Sequence, residues 1–342
     1  QEARRVIEAG KLAVVMGIET EKVFDCGEYL DTAECTREQL IPRMDQWYAM
    51  GVRFVFPIHI FDNGFGGSEI SRFTGDTALI QLFNAGNVVE TGHPFATVPC
   101  DEADDIPPGE SGVDPDNGGV FESISRIVMS PPPTPASGCV KNARGMTELG
   151  AFFVNAMLDR GMIIEADHSG AKARKRELDI AESRGAPVVS GHTGSIHRGR
   201  DSSRIAATGG VISKLPDQPS PTSIKFIQDL SALYAPGQFW ATGWGSDING
   251  IHMQARPRAD AVTKPLVYPF TSYDGRVMFT KQTTGQRVYD LNVDGVAHYG
   301  LYPDYIADML MQPGGREAAA PLFRSAEAYL RLWEQANRLK IK

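Results

Sequence analysis

Glu19, His168, His192 and Asp247 each stand at the end of a short apolar run: LAVVMGIE (12–19), MIIEADH (162–168), PVVSGH (187–192) and FWATGWGSD (239–247). Carboxylate oxygen and imidazole nitrogen hold zinc and similar cations, and one carboxylate can bridge two ions about 3.5–4 Å apart so that both polarise one water. Glu19 is the candidate bridge. His168 and His192 end neighbouring runs one helix apart, and Asp247 could bind a metal or take the proton from the nucleophilic water. Taken singly, each has a plainer role, as a buried histidine bonded to backbone or an acid capping the next helix. Four such residues at the same kind of position point to chemistry at one rim of a sheet.

His59 ends another run, VRFVFPIH (52–59), where an imidazole could polarise a substrate carbonyl or steady an oxyanion. Arg198 and Arg200, after His192, suit the binding of an acid group through a guanidinium fork, though ordinary surface arginines fit the sequence as well. Lys214 could meet a substrate carboxylate or lie along the surface with its amine in water, and His252 could line the pocket.

Buried parallel strands read as short apolar runs, and their C-terminal ends carry the catalytic groups of a barrel. The expected fold is therefore α/β, of the (β/α)8 TIM-barrel type, over 1–342 as a single domain. Six strands are legible, alternating with helices expected at 36–51, 146–160, 170–184, 201–208 and 222–234. Turn-rich stretches at 60–145 and 248–295 read as rim insertions, the second with possible strands RVMFT and QRVYDL, and two C-terminal helices fill 298–339.

The 342 residues are 42% hydrophobic, enough for a full core, and the formal charge of -8 with a pI near 5.5 argues against a polyanion partner. The longest apolar runs fall far short of the roughly 20 residues of a membrane span. A soluble protein is expected. Cys26 with Cys35, and Cys100 with Cys139, lie in loop-like segments and could form two disulfides, which suits an extracellular or periplasmic protein; four unrelated thiols are the alternative.

These motifs resemble those of the metal-dependent membrane dipeptidases (renal dipeptidase, peptidase family M19) among the amidohydrolase-like barrels. The likeness rests on GIE (17–19), GVRFVFPIH (51–59), GMTELGAFFVNAMLDRGMIIEADHS (145–169), PVVSGH (187–192), GGV (209–211) and GSDING (245–250), in the family's order over roughly 12–250. It implies that Glu19 bridges two zinc ions, that His168 and His192 bind the second, and that Asp247 sits at the first and assists the water. It also matches His59 to a substrate-contacting histidine. The implied reaction is hydrolysis of a small amide, typically a dipeptide bond, by metal-activated water.

The chain departs from that pattern in three places. The family's first strand carries an HxD pair that completes the first metal site, and no HxD occurs in this sequence, so the visible strands correspond to the third through eighth. Either another segment, separate or preceding, supplies those ligands and two zinc ions bind, or one zinc remains. The loop after His192 lacks a clear arginine-bearing stretch, and the two insertions reshape the rim. A lactone or ester hydrolase on the same site, or a non-catalytic ligand-binding or structural protein on a decayed barrel, stand as alternatives. A homo-oligomer is compatible with all three.

Overall fold

Apolar runs bounded by turn signals become a parallel sheet. The computed structural model describes residues 2–70, 77–100, 140–192, 200–214, 216–247 and 254–341, and the chain falls into two units. The first comprises Gln1–Ser190, Gly194–Val211 and Tyr329–Lys342; the second comprises Gly191–Thr193 and Ile212–Ala328.

In the first unit the sheet strands are β1 (Met16–Ile18), β2 (Val52–Val55), β3 (Ile163–Glu165) and β4 (Val188–Ser190), with β5 (Val211–Ile212) at the point where the chain passes to the second unit. Their spatial order is β1-β2-β3-β4-β5. The pairings β1–β2, β2–β3 and β3–β4 are parallel, with Ile18 beside Val55, Val55 beside Ile164 and Ile164 beside Val188. Ile163, Ile164 and Val188 are fully buried, as a parallel sheet covered on both faces requires. β1 differs. Leu12, Val14 and Met16 are 85%, 74% and 45% exposed, so the first half of that apolar run is not core.

Helices follow the strands as expected. Thr36 caps the helix Arg37–Ala49 through a reciprocal bond with Gln39, a capping box that satisfies two otherwise orphaned amides. Leu40 and Met44 of that helix are buried. The helix Glu148–Asp159 is capped by Thr147, and its Phe153 stacks on Phe65 with ring centroids 4.3 Å apart. The helix Ala171–Arg184 ends at Gly185 in the left-handed conformation, the usual glycine stop. Its Arg174 is wholly buried, donating to Asp201 Oδ2 (2.7 Å), Glu69 Oε2 (3.3 Å) and the carbonyl of Ser169 (2.5 Å).

In the second unit Lys214 and Trp244 form a parallel bridge, with the Lys214 amide donating to Gly243 O (3.3 Å) and the Gly245 amide to Lys214 O (3.2 Å). The helices Ser220–Ser231, Tyr302–Met311 and Gly315–Leu322 enclose a core that includes Ile224, Ile227, Tyr305 and Met309. Arg258 pairs with Asp308 at 2.8 Å inside this unit.

Several expectations need correction. Among the described residues five strands, not six, form the sheet, and they contain no closed barrel. The sixth run, 239–247, makes a bridge instead of a strand, because glycines on either side of Trp244 weaken the extended segment. The first insertion is not wholly irregular, since Thr77–Thr91 is a helix. Its acidic and proline-rich stretches at 101–119 and 130–138 lie outside the described residues. The expected strands near 276–280 and 286–291 shrink to Met278–Phe279 and Arg287–Val288, each one arm of a two-residue hairpin. The last helix is two, Gly315–Leu322 and Ser325–Asn337.

Candidate metal centre

Three chain segments deliver the donors of the first unit. Glu19 immediately follows β1, His59 lies four residues beyond β2, and His168 three beyond β3. The Glu19 carboxylate oxygen Oε1 lies 3.1 Å from His168 Nε2 and 3.4 Å from His59 Nε2. The two imidazoles meet edge to face, their centroids 4.5 Å apart. His168 has φ +68°, a left-handed conformation that non-glycine residues adopt at a cost of order 1–3 kcal/mol. The bond from the Glu69 amide to its carbonyl (2.6 Å), with Arg174 clamping Ser169, holds the turn in that state.

Electrostatics favour a cation among these groups. For His59, burial opposes the charged form, but the hydrogen bonds and charges of Glu19 and Glu21 outweigh it and raise the pKa to about 9. Its protonated ring is then the positive charge between two acids at neutral pH. A borderline metal ion accepts the same donor set, one carboxylate and two imidazole nitrogens, at about 2.0–2.2 Å from each. The three ligand atoms all lie within 4.8 Å of one another, so the residues fit such an ion.

In the second unit His192 Nε2 lies 3.6 Å from Asp247 Oδ2. Asp247, like His168, has positive φ, +49°. Gly245 makes this approach possible, since a Cβ there would stand 2.1 Å from Gly191 O and 2.4 Å from the His192 Cα. Lys214 is engaged with Asp217 at 2.9 Å. Arg200 opens the helix Arg200–Ala207 and is exposed. Arg198 and His252 lie outside the described residues.

Cys26 and Cys35 form a disulfide. The second expected pair reaches Cys139, outside the described residues. Glu28, Asp31 and His93 make another cluster of metal-ligand type in the first unit. There the Arg144 guanidinium already pairs with Glu28 and, at 3.3 Å, with Asp31, supplying the positive charge that a cation would bring.

Sequence reasoning missed Glu21. Its carboxylate lies 2.6 Å from His59 Nδ1 and accepts the amides of Ile60 and Phe61, both at 3.1 Å. The signal was present: in GIETE the two acids are two residues apart, the spacing that puts side chains on one side of an extended chain.

No protein-family model and no curated protein sequence matches the chain. Among solved structures, the crystal structure of an amidohydrolase from Pseudomonas aeruginosa is similar at 13% sequence identity, with a TM-score of 0.47, over 98% of this chain and 76% of that one. At that level of likeness no activity transfers from one chain to the other.

Proposed function

We propose that this protein is a metal-dependent hydrolase that cleaves a small amide or peptide bond, with Glu19, His59 and His168 around its metal. The observation that carries the reading is the convergence of two histidine Nε2 atoms on a single Glu19 oxygen, at 3.1 and 3.4 Å. A zinc-type ion supplies Lewis acidity, lowering the pKa of water and polarising the scissile carbonyl. Glu19 contributes the negative charge that retains the cation, and the 4%-exposed His168 contributes a ligand shielded from bulk water. His192 and Asp247 are assigned to the same reaction by the sequence resemblance alone, with Asp247 taking the proton of the attacking water. Arg198, Arg200 and His252 are assigned to the substrate on sequence grounds alone.

The disulfide Cys26–Cys35 supports an oxidising location, outside the cell or in a periplasm, and no described helix is long and apolar enough to cross a membrane. The exposed Leu12, Val14 and Met16 support the expected additional segment, which would pair along β1.

Elemental mass spectrometry of protein purified without added metal, read beside hydrolysis of a dipeptide panel, tests the proposal. One or two zinc-like ions per chain, with turnover lost on chelation and regained with zinc, is the expected result. Failure to retain zinc after incubation would remove the hydrolase reading.

A further inference from the structure

The geometry points to Glu21 as a positioning residue, one that fixes which nitrogen of His59 faces the metal centre. Its two carboxylate oxygens divide the work. Oε1 takes His59 Nδ1 at 2.6 Å, and Oε2 takes the amides of Ile60 and Phe61 at 3.1 Å each, so ring and following backbone are held by one side chain. The main-chain carbonyl of Glu21 accepts Asn63 Nδ2 (3.3 Å), which also donates to Pro57 O (2.9 Å). The segment carrying Glu19 and the loop carrying His59 are thereby tied on both sides of the imidazole.

With Oε2 accepting two backbone amides and Oε1 facing Nδ1, the Glu21 side chain is set to accept the Nδ1 proton, and Nε2 is the nitrogen turned to Glu19. A carboxylate on the far nitrogen orients a ligating histidine and raises its basicity, and removing such a partner typically costs 10–100-fold in metal affinity. Both Glu21 oxygens are engaged at the Nδ1 side of the ring, away from Nε2. Glu21 acts through His59. The inference rests on the proposed metal centre only for what Nε2 binds; the orientation of the ring stands without it.

The test uses the full chain labelled with nitrogen-15, first metal-free and then titrated with zinc. Metal-free wild type is expected to show a strongly deshielded His59 Nδ1–H proton, assigned by its absence from His59→Asn. Glu21→Ala should lose that signal while other imidazole signals persist, and zinc affinity should fall about 10- to 100-fold. The double variant Glu21→Ala/His59→Ala should bind zinc no more weakly than His59→Ala alone. If Glu21→Ala does not fold, Glu21→Gln is read in its place, since one amide oxygen cannot serve both the ring and the two backbone amides.

A His59 signal unchanged in the Glu21 variant, or losses that simply add in the double variant, overturns the inference. Loss of the signal in a protein whose wild type takes up no zinc upholds the positioning role and sinks the metal centre.

Discussion

His168 Nε2 lies 3.1 Å from Glu19 Oε1, and His168 reaches that carboxylate from a backbone with φ +68°. The strained turn follows a strand whose Ile163 and Ile164 are fully buried and precedes a serine clamped by a buried arginine. Strain persists only where the surroundings overdetermine it, and here they do. His168→Ala should keep the fold, since the clamp does not involve the imidazole, and should weaken zinc binding by at least about 100-fold, comparable to losing a metal-site partner. Calorimetric titration with zinc, with circular dichroism as the folding control, checks both halves.

Asp247→Asn should leave zinc content and thermal stability nearly unchanged and slow hydrolysis by about 10²–10⁴-fold, the usual worth of a general base. Steady-state turnover on whichever amide the wild type accepts is the readout. An Asp247→Asn enzyme as fast as wild type would remove that residue from the mechanism.

Gly245 lies where any side chain would meet backbone, 2.1 Å from Gly191 O. Gly245→Ala is expected to destabilise by about 1–3 kcal/mol, the range for overpacking a tight contact, and to disturb the His192–Asp247 approach. Urea midpoints measure the first effect. The second should reduce turnover on the amide used to assay Asp247→Asn.

Arg174 is wholly buried beside Glu69 and Asp201. Arg174→Met leaves two acids without their cation, and breaking a buried pair in this way costs about 3–5 kcal/mol. A fall of that size in the unfolding free energy from denaturant titration is expected. A smaller change would mean that the acids protonate or reach solvent.

The pH dependence of stability should carry the signature of Glu177. Burial raises its carboxyl from 4.5 to about 8, against the lowering effects of Ser169 and Arg174. Between those values the folded protein binds a proton that the unfolded chain releases, so stability is greatest below about pH 4.5 for this group and falls as pH climbs to about 8. Glu177→Gln preserves an acceptor for the Ser169 hydroxyl, 2.7 Å away in the native protein. Above pH 8 it should exceed wild type by about 1–3 kcal/mol, and equal denaturant midpoints across the range would contradict the assignment.

The sheet was legible because buried parallel strands leave a plain record: Ile163, Ile164 and Val188 are apolar side by side, and a polar residue marks each exit. Helix starts were legible where a cap exists, as at Thr36 and Thr147. Thr77–Thr91 is not legible because glycine- and proline-rich neighbours mask its apolar content. Glu19, His59 and His168 come from segments far apart in sequence, and their meeting depends on turns whose dihedrals no residue pattern announces. The pairing of Glu21 with His59 spans 38 positions and has no local signature beyond the second acid of GIETE.

The apolar side chains of Leu12, Val14 and Met16 have a consequence for handling the molecule. Met16 opens the border strand β1 and Leu12 and Val14 lie in the segment just before it, and an edge strand beside exposed apolar side chains is a template for other chains. Concentrated samples should form soluble aggregates before they lose their fold, and a charge at position 14, as in Val14→Lys, should keep the preparation monodisperse without touching the ligands. Light scattering at rising concentration would show it.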